Sequence, residues 1–382
     1  MREVLQGVSD VYYTHYHGDH IGFESAIYKA GVTQHIGDLS LKMMKTLKNH
    51  MLKADNLREQ VTRSLEALEH FKIYKPEQTE TTGNIHITPY YVSHSAADAH
   101  MFLIECDGVT ILHTGDFRDH GYMGSGLEKN IKANIVKKNV DVLITEGTML
   151  ARGSEAVQSE KELQKKAIRI FEKYRNAFVL CSSTDADRIV TLYQASHKQN
   201  KNRWFVTDSY QGRQIRNIRS HLKGIYSDIC YGDILQDHDE VLQKMLENGF
   251  TMLVRNTDTF KKLIAEILPK IDLKQTAFIY SQFEGYIDKN HIAFKQSTFD
   301  FVHSYDWAVE HMHTSGHASC QTLADVCNWV HPSMAIVPIH KEKEADFSKL
   351  PLDSDLQQRI VTHSQTMKKE NGGRMVEVEI VE

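Results

Sequence analysis

Tyr12-Tyr13-Thr14-His15-Tyr16-His17-Gly18-Asp19-His20 puts three imidazoles and a carboxylate within six residues. Imidazole nitrogen and carboxylate oxygen are ligand atoms suited to zinc and its first-row neighbours, and four of them on one short turn can serve two ions at once. With 22 histidines in 382 residues, chance clusters are commoner than usual, so the setting has to decide. Val8 to Thr14 is a β-rich run, Gly18 permits a sharp turn, and Ile21 to Ala30 can follow as a helix. The four side chains therefore fall at a strand-to-helix turn, where an open catalytic metal would sit.

Working outward, three more candidate ligands stand at the ends of apolar strands. His94 follows Ile85 to Val92, Asp116 follows Thr110 to His113 in His113-Thr114-Gly115-Asp116-Phe117, and His340 ends Met334 to Ile339. Taken singly, each could be a capping or core residue. Together with the first cluster they make five histidines and two aspartates, enough for two ions with a shared carboxylate.

The rest of the chain supplies the scaffold. Leu39 to Phe71 reads as one amphipathic helix, with packing on one face and solvent on the other. Short strands follow at Ile85 to Val92, Met101 to Glu105, Thr110 to His113 and Val140 to Thr145, with Asp107-Gly108 marking a hairpin. Beyond them the rhythm becomes alternating helix and strand. Ser159-Glu160-Lys161-Glu162 opens a helix to about Lys173 as a capping box. Strands at Phe178 to Cys181, Trp204 to Val206, Phe250 to Val254 and Ala277 to Tyr280, with helices at Ala186 to His197 and Phe260 to Leu268, predict a largely parallel sheet. Borders are expected near Gly153 and Phe301.

Composition is that of an ordinary soluble globular protein, with 41% hydrophobic residues and a net charge of -5 that argues against indiscriminate polyanion binding. No apolar run is long enough to span a bilayer, and the first residues lack a signal peptide's apolar segment, so a cytoplasmic location without membrane attachment is the expectation. Cys106, Cys181, Cys230, Cys320 and Cys327 are scattered and form no C-x-x-C pair, which fits reduced thiols rather than disulfides or a zinc knuckle.

These motifs resemble those of a metallo-β-lactamase-fold hydrolase of the β-CASP branch, the nucleases typified by ribonuclease J and the cleavage and polyadenylation endonuclease. His15-Tyr16-His17-Gly18-Asp19-His20 matches the H-x-H-x-D-H motif, His94-Ser95 and Thr114 to Arg118 the histidine and aspartate motifs. Glu146, His317 in His313-Thr314-Ser315-Gly316-His317, and His340 match the branch's three signatures in order. The resemblance implies an α/β fold: an αββα sandwich from residues 1–152 and 302–382, with an inserted α/β cap over 153–301. It implies one divalent ion on His15, His17 and His94, a second on Asp19, His20 and His340, and Asp116 between them. Zinc is the expected metal and manganese the alternative. It also implies catalytic roles for Asp19, Glu146 and His317, the last as proton donor to the leaving oxygen with Glu146 orienting it. Two cations about 3.5–4 Å apart lower the pKa of a shared water and offset charge on a phosphodiester, so hydrolysis of RNA is the leading expectation. DNA or a small ester, lactone or thioester is the alternative substrate, and an inactive nucleic-acid-binding relative is a third reading.

Ser182, Ser183, Arg188, Ser281, Gln282, His313 and Ser315 resemble the branch's phosphate-contacting positions, although Ser281-Gln282-Phe283-Glu284-Gly285 departs from its usual Ser-Gln-Gly-Glu. The run Arg213, Arg216, Arg219, His221 and Lys223 reads as a charged helix face. Only eleven residues precede Tyr12, whereas the superfamily places a longer set of strands there, so one edge of the first sheet is expected to be missing, or covered by a partner or second copy.

Overall fold

In the structure, a computed structural model, residues 4–152, 157–343, 345–368 and 375–378 are described. The strands run in chain order as β1 (Asp10–Tyr12), β2 (Thr33–Ile36), β3 (Lys72–Ile73), β4 (Glu80–Thr82), β5 (Ile85–Val92), β6 (Ala99–Cys106), β7 (Val109–His113) and β8 (Val142–Glu146). They continue as β9 (Asn176–Cys181), β10 (Trp204–Thr207), β11 (Gly232–Asp233), β12 (Phe250–Val254), β13 (Thr276–Ser281) and β14 (Ala308–His311). Last come β15 (Ala335–Ile339), β16 (Gln365–Lys368) and β17 (Met375–Val378). The chain is α/β, with both parallel and antiparallel pairing. It divides into two compact units, residues 1–157 with 316–382, and residues 158–315.

The first unit carries a parallel three-stranded sheet in the order β1-β2-β3, so β1 and β3 are its edges. Beside them Val8 and Ile73 are exposed. A six-stranded sheet follows the order β15-β8-β7-β6-β5-β4, antiparallel from β4 to β7 and parallel from β7 to β15. At the β6–β7 hairpin Asp107 and Gly108 both take positive φ, 52° and 76°, the backbone that a two-residue turn of this hand demands. Leu103, Leu112, Leu143 and Ile336 are wholly buried against Leu323 and Cys327 of the helix Cys320–Val330. Each such side chain contributes roughly 1.5–3 kcal/mol through burial.

Register decides where the ends of these strands lie. β7, β8 and β15 run parallel with His113 opposite Ile144 and Ile339 opposite Glu146, so the residues following them emerge along one edge. β5 runs the same way, being separated from β7 by antiparallel β6. His94, Asp116, Glu146 and His340 therefore belong to one end of one sheet. β1 is joined to the β4 edge by His35, whose Nε2 lies 2.8 Å from Asp10 Oδ1 and whose Nδ1 lies 3.0 Å from Glu80 Oε2.

The expected single helix over Leu39 to Phe71 is instead two, Asp38–Met51 and Arg58–Glu69, which pack on one another. A continuous helix over that span would run about 50 Å and carry half of its apolar stripe away from the core. The break lets Leu39, Leu41, Met43 and Met44 share an interior with Val61, Ala67 and Leu68.

The second unit is a wholly parallel sheet in the order β11-β10-β12-β9-β13-β14, with helices between successive strands, as the alternating pattern predicts. The Ser159 capping box forms with Glu162, opening the helix Glu160–Lys173. The unit boundaries fall after Val157 and Ser315, rather than near Gly153 and Phe301. At the second border the reason is β14, which pairs with β13 and keeps residues 302–315 with this sheet.

Candidate metal centre

The short strand β1 ends at Tyr12, and the chain then runs extended through His15 to His17 before turning into the helix Gly18–Ile21. Two backbone hydrogen bonds anchor this turn: Tyr13 N–H donates to His35 O at 2.9 Å, and His100 N–H to Thr14 O at 2.9 Å. His20 and Ile21 N–H both donate to His17 O, at 3.0 and 3.1 Å, which closes the turn and sets the histidines on its inner side. Asp116 is reached through Gly115, at φ 58°. A Cβ on Gly115 would lie 2.9 Å from the Thr14 side chain and 3.0 Å from His100 O. Gly115→Ala is therefore expected to cost about 3 kcal/mol, from left-handed backbone plus overpacking. Urea unfolding would measure it.

Donor atoms from four separate segments converge here. His15, His17 and His94 form one trio, Asp19, His20 and His340 another, and within each the donor atoms lie within 4.8 Å of one another. Asp116 stands between: its Oδ2 is 3.1 Å from His20 Nε2, 3.8 Å from His15 Nε2 and 4.0 Å from His94 Nε2, and its Oδ1 is 3.9 Å from His340 Nδ1. All seven ligand candidates from the sequence thus meet at one place.

The second nitrogen of several rings is already engaged. His15 Nδ1 pairs with Thr14 Oγ1 at 3.0 Å, His94 Nδ1 donates to Gly316 O at 2.6 Å, and His340 Nδ1 pairs with Thr148 Oγ1 at 2.8 Å. Thr148 also donates to His340 O, so its oxygen accepts from the ring. Thr14, Thr148 and Gly316 are thus orienting residues that reading the sequence did not single out. Their signal, a small or hydroxyl residue within two positions of a motif residue, is too common to act on alone.

Burial pushes the imidazoles of His15 and His94 well below their usual range and His17 down to about 4, so these rings are neutral and offer lone pairs. Burial works against the charge of Asp116, but the hydrogen bond from His20 and the surrounding imidazoles hold its carboxyl well below the usual range. Whether a cation fits can be judged from the donors. His15 is wholly buried and its Nε2 has no hydrogen-bond partner. His94 Nε2 and His17 Nδ1 are 3.1 Å apart, and His340 Nε2 faces the Asp19 carboxylate at 3.1 Å. A ring proton makes a hydrogen bond of either contact; the orphaned His15 Nε2 and the gathering of imidazole and carboxylate donors within 4.8 Å are what fit a divalent ion.

Glu146 and His317 serve differently. Glu146 Oε1 accepts from Phe117 N–H at 2.8 Å, and Oε2 accepts from His317 Nδ1 at 2.8 Å, so both of its oxygens are spent on positioning. Burial opposes charge on His317, but the Glu146 hydrogen bond and carboxylate outweigh it and raise the imidazole's pKa.

The chain was then compared with known proteins. No family model matches it, and no curated protein matches it. Among solved structures it is similar to one described as a protein of unknown function from Enterococcus faecalis V583. That likeness spans 97% of this chain and 81% of the other, with a TM-score of 0.65 and 16% identity, and it is a likeness of fold alone.

The residues expected to touch substrate lie in the second unit, at the carboxyl ends of β9, β13 and β14. Ser182 is exposed with its Oγ 2.9 Å from Thr184 Oγ1, Ser183 is buried, and Gln282, His313 and Ser315 are half-buried. Arg188 is a correction. It is enclosed, with its guanidinium on Glu160, Ser281 Oγ and Met312 O, so its donors organise the strand ends rather than meeting a phosphate. Ser281 is likewise occupied, its hydroxyl donating to Met312 O at 2.5 Å. Four of the five basic residues lie on the helix Ser209–His221, where Arg216 donates to Tyr231 and Arg219 to Ser227 O, and Lys223 lies just beyond its end. No helix among the described residues is long and apolar enough to cross a membrane.

Proposed function

We propose that this chain is a metal-dependent phosphodiester hydrolase of the metallo-β-lactamase fold, in its β-CASP branch, and that it cleaves single-stranded RNA. The supporting observation is the pair of donor trios with the Asp116 carboxylate between them, beside the hydrogen-bonded Glu146–His317 couple. In this reading the first unit is the hydrolase domain and the second is the inserted cap.

His15, His17 and His94 would hold one divalent cation and Asp19, His20 and His340 a second, with the Asp116 carboxylate between the two trios; zinc or manganese would supply Lewis acidity toward water near neutral pH. The chain's own residues do the rest. Thr14, Gly316 and Thr148 fix three of the rings by taking their outer nitrogens. His317 acts as general acid: Glu146 holds Nδ1–H, which leaves Nε2 to carry the proton to the departing oxygen. A ribose alkoxide needs that proton, whereas a thiolate leaves without one, which favours a phosphodiester over a thioester.

The experiment is a cleavage panel on labelled RNA, DNA and a simple phosphodiester, with and without chelator. RNA is expected to be cleaved, and chelation to stop it; cleavage of none of the three overturns the reading. His317→Ala is expected to slow RNA cleavage by about 10²–10⁴-fold, the worth of a positioned proton donor, while zinc content by elemental analysis stays at the parent value.

A further inference from the structure

Three residues beyond His20 the chain breaks two local rules at once. Phe23 is 64% exposed. It also occupies the N-cap of the helix Glu24–Lys29, where it makes no side-chain cap. A single exposed apolar side chain is unremarkable, but one that is also a poor cap gives up stability twice, and such conflicts concentrate at functional positions.

Its place on the turn says what it could serve. Gly22 at φ -63°, ψ -9° carries the helical sense of Gly18–Ile21 as far as Phe23, whose own φ -105°, ψ 11° leaves it. Phe23 therefore shares a helical face with Asp19 and His20, four and three residues earlier. Both belong to the Asp19, His20 and His340 trio, and the Asp19 side chain is 61% exposed, so this face is open to solvent. An unspent aromatic ring beside a phosphate-handling group suits the flat face of an unpaired base.

We infer that Phe23 is a stacking platform for the nucleobase next to the scissile phosphate, so that the site selects unpaired strands. This rests on the nuclease reading above. A paired base is already stacked on its neighbours and cannot lie on the ring without leaving the duplex.

The test compares two short single-stranded RNAs, one intact and one carrying an abasic ribonucleotide beside the cleaved bond. The parent protein is expected to prefer the intact strand by about 10-fold in kcat/KM, in keeping with the worth of one base–aromatic stack. Phe23→Ser should lose that preference while melting close to the parent, since the side chain removed is exposed, and Phe23→Trp should keep it. An intact RNA with 2-aminopurine at the same position should be quenched on binding the parent and Phe23→Trp but not Phe23→Ser. If the parent cleaves both RNAs alike, or Phe23→Ser discriminates as the parent does, the stacking role is overturned and the nuclease reading stands. If the parent cleaves no RNA, the nuclease reading falls and takes this inference with it.

Discussion

On the nuclease reading, Asp116→Asn is expected to lower RNA cleavage by about three orders of magnitude, the worth of roughly 4 kcal/mol of charge stabilisation at a two-cation site. Asp116 is the carboxylate within 4.0 Å of His15, His20, His94 and His340 together, so its charge is the one that both donor trios share. The amide keeps the shape and one oxygen but lacks the charge, and it presents two N–H groups toward nitrogens that are themselves donors to a cation. Elemental analysis should therefore find less than the parent's metal in the variant. Thermal melting gives a second check: zinc is expected to raise the parent's midpoint by binding the folded chain, and the rise should shrink in Asp116→Asn. A variant that binds as much metal and cleaves as fast would end the metal-centre argument.

Glu160→Ala is expected to cost about 3–5 kcal/mol, measured by urea unfolding, although Glu160 lies nowhere among the metal ligands. Glu160 and Arg188 are both wholly enclosed, joined at 3.0 Å, with Thr191 Oγ1 donating to Glu160 at 2.6 Å. Burial opposes the charge on Arg188, and the Glu160 carboxylate, with Asp185, offsets that cost. Removing the carboxylate strands that charge in the interior next to Ser281 and Met312 O. The paired change, Glu160→Leu with Arg188→Met, removes both charges and should recover most of the loss. If the single and paired variants unfold alike, the cost comes from packing and not from the stranded guanidinium.

The two predictions mark the limits of what could be read beforehand. The candidate ligands were legible because their chemistry is unusual in sequence: a dense run of imidazoles at a strand-to-helix turn, then His94, Asp116 and His340 each at the end of an apolar strand. Parallel strand ends in register turn that one-dimensional pattern into a single edge. The parallel sheet of the second unit was legible for the same reason, from apolar strands alternating with capped helices. Arg188 misled because an arginine between turn residues looks the same in sequence whether it reaches solvent or lies under it. The two helices Asp38–Met51 and Arg58–Glu69 merged into one because the apolar period runs through a break that carries neither proline nor glycine. The unit border at Ser315 depended on β14, a four-residue edge strand too short and too polar to announce itself.

Asp19 and His340 meet across 321 positions of sequence, so the second ligand set is completed only by the last strand of its sheet. During translation the early histidines leave the ribosome long before that strand does, and a half-made polypeptide holds only part of the centre. On the nuclease reading, an unfinished or C-terminally broken product is harmless to the message being decoded, because chemistry waits until the protein is whole.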